Sequence, residues 1–206
     1  MKKLLFLSIS LALVGSGASA LALSANPARH IPPRQVIGKV GGNGRGMIEW
    51  HSQAVGRRQA FQNVAQTFTA SGNASLSDVA LQIARSRNAV GRSAGRAAVT
   101  VSIYASDTPE ASRKDRLFSG TTRLPGRLQG GDYLVFDLEK KVKLKKGKRY
   151  TVTFEFESPR PGQSLVLATG SQHGHGRAYV YSNDRRHKSP RWEATRENLS
   201  LVLIGR

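Results

Sequence analysis

Short runs that alternate apolar and polar residues recur along the chain from about Met47 onward, with turn residues between them. In one run, Val79, Leu81 and Ile83 lie two positions apart, and a strand would place all three on one buried face. The sequence contains no apolar stripe with helical spacing. The pattern predicts an all-β chain, an antiparallel β-sandwich of jelly-roll-like type with about eight or nine strands. The runs occupy residues 60–70, 76–84, 97–105, 117–118, 133–144, 150–156, 164–168, 178–181 and 199–204.

The clearest predicted hairpin joins two of these runs. Val142 and Leu144 continue the inward parity of the run that starts at Tyr133. The turn sequence Lys146-Gly147-Lys148 then leads to Tyr150 and a further alternating run. The sequence therefore predicts that these two runs pair as neighbouring antiparallel strands.

The first twenty residues have the order of a secretory signal peptide. Lys2 and Lys3 precede an apolar run of residues 4–14, and Ala18-Ser19-Ala20 supplies the small residues that a signal peptidase reads. Cleavage after Ala20 predicts export to the periplasm, the cell surface or the extracellular medium. The alternative, an uncleaved membrane anchor, needs about 20 apolar residues, and glycines interrupt this run after roughly half that length. No later stretch is long and apolar enough to span a bilayer.

The rest of the chain divides at about residue 46. Residues 21–46 are rich in Pro, Gly and Arg and show no sustained periodicity, so a flexible leader is expected there. Residues 47–206 are expected to form one β-sandwich domain, large enough to fold on its core alone. The sequence has no cysteine, which excludes disulfides and a lipoprotein anchor.

The charge balance is strongly basic. The chain has 32 Lys and Arg against 13 Asp and Glu, a formal net charge of +19. Removal of Lys2 and Lys3 with the signal peptide lowers this charge by two, to +17. Such a surface attracts polyanions, so the expected partners are anionic polysaccharide or another envelope polymer, with nucleic acid as a non-specific partner. The alternative is a basic composition with no ligand.

The densest basic cluster lies around the predicted hairpin. Alternation places Lys141, Lys143 and Lys145 together on the outside if Val142 and Leu144 face the core. This ridge is predicted to bind phosphate or sulfate groups by counterion release. The alternative is a solvated edge that is rich in lysine because lysine prevents edge-to-edge aggregation. The predicted polyanion-binding residues are Lys141, Lys143, Lys145, Lys146, Lys148 and Arg149.

A second candidate surface is aromatic. Tyr179 and Tyr181 share one strand face, and with Trp192 they are the aromatic residues best able to form a flat platform against a sugar ring or a base. Asn183 would supply a polar contact beside this platform. The alternative is that Trp192 caps the core with its indole N–H at the edge.

Other chemistry has little support in the sequence. His173, His175 and His187 have spacing that a metal site could use, but an ordinary loop explains them better, and no metal or cofactor is predicted. The chain lacks a nucleophile elbow, a cysteine nucleophile and a phosphate-binding glycine loop. Glu155 and Glu157 share a strand face and are explained as solvated polar positions, so a non-enzymatic protein is expected.

Several short motifs follow one another in a recognisable order. They are Gln66-Thr67-Phe68-Thr69, Val101-Ser102-Ile103-Tyr104, Tyr181-Ser182-Asn183-Asp184 with Trp192, and the closing run from Leu199 to Gly205. In this order the chain resembles bacterial exported β-sandwich domains of the choice-of-anchor type and, more distantly, jelly-roll carbohydrate-binding modules. The resemblance implies a surface or secreted sandwich without a catalytic centre and gives no functional residues to carry over.

These observations predict a secreted, non-catalytic binding module whose basic surface engages an anionic polysaccharide or another envelope polyanion. The alternative is a structural or adhesive cell-surface component with no specific ligand. An enzyme would need a cleft with perturbed carboxylates, which a sequence does not reveal.

Overall fold

A computed structural model describes residues 22–41, 46–55, 58–86, 88–157, 160–171, 176–183 and 191–205. Within these ranges the chain is all-β, with three short 3₁₀ turns and no α-helix, which confirms the prediction of an all-β chain. No helix in these ranges is long and apolar enough to cross a membrane. The strands are β1 Leu23–Ala28, β2 Val36–Val40, β3 Gly46–Val55, β4 Arg58–Thr69, β5 Ala74–Gln82, β6 Ala98–Tyr104, β7 Arg116–Arg123, β8 Tyr133–Leu144, β9 Arg149–Phe156, β10 Gln163–Gly170, β11 Ala178–Ser182, β12 Arg191–Ala194, β13 Asn198–Leu199 and β14 Leu201–Gly205.

The strands form two antiparallel sheets. One sheet has the order β1-β8-β5-β14-β2. The other has nine strands, in the order β13-β10-β3-β4-β9-β6-β7, with β11 paired to β4 and β12 paired to β11. Fully buried Phe136 of β8 and Phe154 of β9 lie 5.4 Å apart between ring centroids, although their strands belong to different sheets. The two sheets therefore share one core, as in a β-sandwich.

The segment expected to be a loose leader contains two strands. β1 pairs with β8 and β2 pairs with β14, so they form the two edges of the five-stranded sheet. Pro27 in β1 is compatible with this position because an edge strand leaves backbone groups unpaired on one side. Ile31, in the connection between these strands, packs on buried Val202 and Ile204 at the outer face of the sheet. The structured part of the chain thus begins well before residue 47. The predicted signal peptide lies outside the described residues.

The predicted hairpin between β8 and β9 is not formed. β8 pairs with β1 and β5, whereas β9 pairs with β4 and β6 in the other sheet. The chain crosses from one sheet to the other between Leu144 and Arg149. Inward residues on both strands are compatible with a hairpin and with a crossing, and the shared core selects the crossing.

The fourteen strands among the described residues exceed the eight or nine predicted. Three of the additional strands, β1, β2 and β3, begin within residues 21–46, which alternation did not mark as strands. The predicted run of residues 199–204 also divides at Ser200: Leu199 belongs to β13 in the nine-stranded sheet, and β14 continues in the five-stranded sheet. A change of sheet leaves the apolar pattern continuous, because both sheets bury one face in the same core.

Candidate functional site

Two connections cross between the sheets side by side at one end of the sandwich. One joins β4 to β5 through residues 70–73, and the other joins β8 to β9 through residues 145–148. Ala70 N donates to Lys148 O at 3.0 Å, and Gly147 N donates to Ala70 O at 2.8 Å. Lys146 N donates to Asn73 Oδ1 at 2.9 Å. Backbone and side-chain hydrogen bonds therefore hold the two connections together.

The lysine-bearing connection is a tight turn. Lys148 N donates to Lys145 O at 3.1 Å, and Gly147 at the third position has a φ of 74°. Glycine suits this position because a positive φ there is what a type II turn requires. The Tyr150 hydroxyl accepts from Lys145 N at 2.8 Å, and Tyr150 itself is only 4% exposed. The turn is thus fixed to a side chain buried in the core.

Five lysines lie in this turn or at the end of β8 that leads into it, and we call them the basic corner: Lys141, Lys143, Lys145, Lys146 and Lys148. All five are exposed, whereas the intervening Val142 and Leu144 are each 4% exposed, as the alternation predicts. Within the described ranges, no carboxylate forms an ion pair with any of the five lysines. The basic corner therefore presents five exposed ammonium groups without an ion-pair partner among the residues that the structure describes.

Arg149 differs from the five lysines. It begins β9, in the other sheet, and its Nη1 lies 3.3 Å from Asp107 Oδ2. Both side chains of this pair are more than half exposed, so the pair contributes little to stability. Its charge is nevertheless partly compensated, and Arg149 is a weaker candidate for polyanion binding than the sequence indicates.

Further cations lie at the same end of the nine-stranded sheet. Tyr104 at the end of β6 pairs with Thr151 of β9 on one side and with Arg116 of β7 on the other. Exposed Arg113 and Lys114 lie in the turn that immediately precedes β7. Exposed Asp107 and Glu110 and half-buried Asp115 lie in the same connection, so the surface beside the basic corner carries charges of both signs. Exposed Arg85 and Arg92 lie at the opposite end of the sandwich, beyond the other end of β5.

A groove with aromatic walls lies at the opposite end of β9. Tyr181 of β11 and Trp192 of β12 are paired residues with ring centroids 5.4 Å apart. Phe61 of β4 stacks on the other side of Tyr181, at 6.2 Å between centroids. The cavity measures about 480 Å³. We call it the aromatic groove, and it is lined by Phe61, Asn63, Glu155, Phe156, Glu157, Tyr181 and Trp192.

The aromatic groove also holds two carboxylates. Burial raises the pKa of Glu155, a hydrogen bond from the Thr153 hydroxyl lowers it, and the charge of Glu157 raises it, with a net upward shift. The Glu157 carboxylate accepts from the hydroxyls of Thr100 and Thr121. No ion pair joins either glutamate to a cation among the described residues. The groove therefore combines aromatic side chains with two carboxyl groups.

The structure separates the residues of the predicted aromatic platform. Tyr181 and Trp192 meet in the groove, but Tyr179 pairs with Ala194 and Ala65 and is not among the groove residues. Asn183 has a structural role, because its Oδ1 accepts from Phe61 N at 2.7 Å. Trp192 is half-buried beside Tyr181, on a strand that pairs only with β11 among the described strands.

Sequence reasoning missed Phe61 and Asn63 and treated Glu155 and Glu157 as solvated. Asn63 is 4% exposed, and its Oδ1 accepts from Phe156 N at 3.1 Å. The pairing of β11 with β4 brings these residues to Tyr181, and no local pattern in the sequence encodes that pairing. In the sequence, the spacing of Phe61 and Asn63, two positions apart, indicates only that they share one face of a strand.

Metal chemistry has no site within the ranges that the structure describes, since no group of three or more potential ligands is clustered there. His173, His175 and His187 lie outside those ranges. No protein-family model and no curated protein matches this chain.

Proposed function

We propose that this protein is an exported, non-catalytic module that binds an anionic polysaccharide or another envelope polyanion through the basic corner. The observation that carries the proposal is a set of five exposed lysines that have no ion-pair partner among the described residues. They lie on, or at the end of β8 next to, a hydrogen-bonded pair of connections. We also propose that the sandwich is of jelly-roll type, which the two sheet-crossing connections favour.

The basic corner suits a polymer more than a small anion. Lysine ammonium groups are flexible point charges without the fork geometry of arginine, so they recognise charge density more than a particular anion. Binding releases the counterions of the polymer, and its affinity falls with salt in proportion to the number of contacts. If all five lysines bind, we expect a loss of affinity on the order of 10²-fold between 50 and 200 mM salt.

Two polymers with the same backbone test the charge requirement. The mature chain, beginning at Leu21, is applied to immobilised dextran sulfate and to unmodified dextran over a range of salt. We expect retention on dextran sulfate that decreases steeply with salt, and no salt-dependent retention on dextran. Equal retention on both polymers would contradict the proposal.

Charge-reversal variants test the location of the site. The first variant replaces Lys141, Lys143 and Lys145 with Glu and is expected to lose retention on dextran sulfate. The matched control replaces Arg85, Arg92 and Arg127 with Glu. These three exposed arginines precede β6 or follow β7, at the end away from the basic corner. Both variants change the net charge equally, so only the location of the charge differs.

The comparison separates two functions. If the control keeps retention and the first variant loses it, the basic corner is the binding surface. If both variants lose retention equally, the overall charge is responsible, and the protein is better described as an adhesive or structural component held by its net charge. Retention by the first variant would exclude the basic corner.

A further inference from the structure

We infer that the aromatic groove is a second binding site, specific for an uncharged pyranose ring, and that it works independently of the basic corner. The groove lies near the end of β9, whereas the basic corner lies before its start. The strand has eight residues, so its ends are separated by about 23 Å at roughly 3.3 Å per residue. One small ligand therefore does not reach both sites.

The walls of the groove suit the apolar face of a sugar ring. Phe61, Tyr181 and Trp192 come from three neighbouring strands, and strand pairing fixes their backbones. Phe156, which also lines the groove, stacks on buried Trp50 at 4.9 Å between centroids, so its position is also fixed. The volume of about 480 Å³ is in the range of small-molecule sites. The aromatic surface is thus preformed, which lowers the entropic cost of binding.

The polar groups of the groove suit hydroxyl groups. Asn63 uses its Oδ1 to accept from Phe156 N, and its Nδ2 donates to no described residue. Glu155 and Glu157 each use Oε1 to accept hydroxyl protons, and their Oε2 atoms accept no hydrogen bond from the described residues. The groove therefore offers one donor and two acceptors. A hydroxyl group both donates and accepts, so a polyhydroxylated ring uses all three.

The charges of the groove decide which sugars enter. Ionised carboxylates at Glu155 and Glu157 repel a carboxylate or sulfate group, although burial raises the pKa of Glu155 and so works against its charged form. A simple cation would pair with the carboxylates, but it cannot accept a hydrogen bond from the Asn63 amide. An uncharged pyranose fits the walls, the donor and the acceptors together. The groove is thus selective against the acidic polymers that we propose for the basic corner.

Trp192 provides a direct readout. The protein has two tryptophans, and Trp50 is 0% exposed, so a ligand that quenches intrinsic fluorescence acts mainly on Trp192. The probes are cellohexaose, maltohexaose, N-acetylchitohexaose and the acidic control hexagalacturonate. We expect saturable quenching by at least one neutral probe, unchanged between 50 and 500 mM salt, and none by hexagalacturonate. Quenching by hexagalacturonate, or no binding of any neutral probe, would overturn the inference.

Substitutions locate the site by calorimetry with the neutral probe that binds. Trp192→Ala is expected to weaken binding by about tenfold or more. Tyr179→Ala is the matched control, because Tyr179 lies on the same strand as Tyr181 but outside the groove. The control is expected to bind as the wild type does. Equal weakening by both substitutions would show that the groove is not the site.

A conservative substitution tests recognition while keeping the hydrogen bonds that support the fold. Glu157→Gln keeps a carbonyl oxygen for Thr100 and Thr121 but removes one negative charge and one acceptor. We expect about tenfold weaker binding of the neutral probe and weaker exclusion of hexagalacturonate. Unchanged behaviour toward both probes would contradict the proposed recognition.

The basic-corner variant keeps the two proposals distinguishable. Replacement of Lys141, Lys143 and Lys145 with Glu is expected to leave binding of the neutral probe unchanged. If that variant loses the neutral probe while remaining folded, the two sites are not independent, and the inference is wrong in that respect. Failure of dextran sulfate to bind would refute the function of the basic corner but not that of the groove.

Discussion

Gln66 is a fully buried polar residue of β4, and its replacement tests how β4 is held to the last strands of the chain. It lies in β4, and its Nε2 donates to Thr67 O at 2.9 Å and to Asn198 Oδ1 at 3.0 Å. Its Oε1 accepts from Leu199 N at 2.8 Å. Gln66, Asn198 and Leu199 are all 0% exposed. One side chain therefore connects the first third of the chain to its last strands.

The cost of removing this side chain follows from the groups that it leaves behind. Gln66→Leu keeps most of the volume but leaves Leu199 N and Asn198 Oδ1 without these partners in the interior. A buried polar group without a partner costs about 1–3 kcal/mol, so we expect a loss of about 2–6 kcal/mol in the free energy of unfolding. With a urea dependence of about 2 kcal/mol per M, the unfolding midpoint shifts by about 1–3 M.

Urea unfolding followed by circular dichroism measures this shift. The matched control is Gln82→Leu. Gln82 is half-buried, and its Oε1 accepts a single side-chain hydrogen bond from Ser200, at 3.0 Å. Water can replace that bond, so the control is expected to change stability by less than about 1 kcal/mol. If Gln66→Leu is as stable as the wild type, the buried hydrogen bonds do not stabilise the fold, and the reasoning is refuted.

Three further substitutions test the core, the groove and the turn. Phe136→Ala removes the ring that contacts the other sheet and should cost about 3–5 kcal/mol in urea unfolding; a loss below 1 kcal/mol would contradict a shared core. Burial raises the folded-state pKa of Glu155 above its ordinary value of 4.5, so its contribution to stability is lost as pH rises through the folded pKa. Glu155→Gln should therefore flatten the fall in urea midpoint above pH 4.5, and an unchanged pH profile would count against this cause. A Cβ at Gly147 would meet no atom within 4 Å, but the residue has a φ of 74°, so Gly147→Ala should lower the free energy of unfolding by about 1–2 kcal/mol. Gly72 lies in equally open space without a positive φ, so Gly72→Ala should leave stability nearly unchanged.

Much of the fold class could be predicted because it depends on neighbouring residues. The alternation that buries Val79, Leu81 and Ile83 is a property of five consecutive positions, and the structure buries all three. The same rule placed Lys141 and Lys143 outside, on either side of Val142, where the structure has them. Inward and outward directions are thus readable from the sequence wherever one face of a strand is buried.

The edge strands were not predictable in the same way. β1 contains Pro27 and has one buried and two half-buried residues among six, a weak pattern for a strand. Its pairing with β8, from Leu23 opposite Leu138 to Ala28 opposite Tyr133, depends on an edge that only the assembled sheet provides. An edge strand buries less surface, so its sequence carries a weaker signal.

The two candidate sites differ in how much of each could be predicted from the sequence. Sequence alone determined the lysines of the basic corner, since their exposure follows from local alternation and from charges too costly to bury. Only the tertiary structure decided that the chain crosses to the other sheet between β8 and β9, and that Phe61 stacks on Tyr181, 120 residues later in the chain. Such contacts arise from which surfaces bury one another, and many pairings satisfy the same local pattern. The direction of each side chain is therefore encoded locally, whereas its neighbours are selected by the packing of the whole chain.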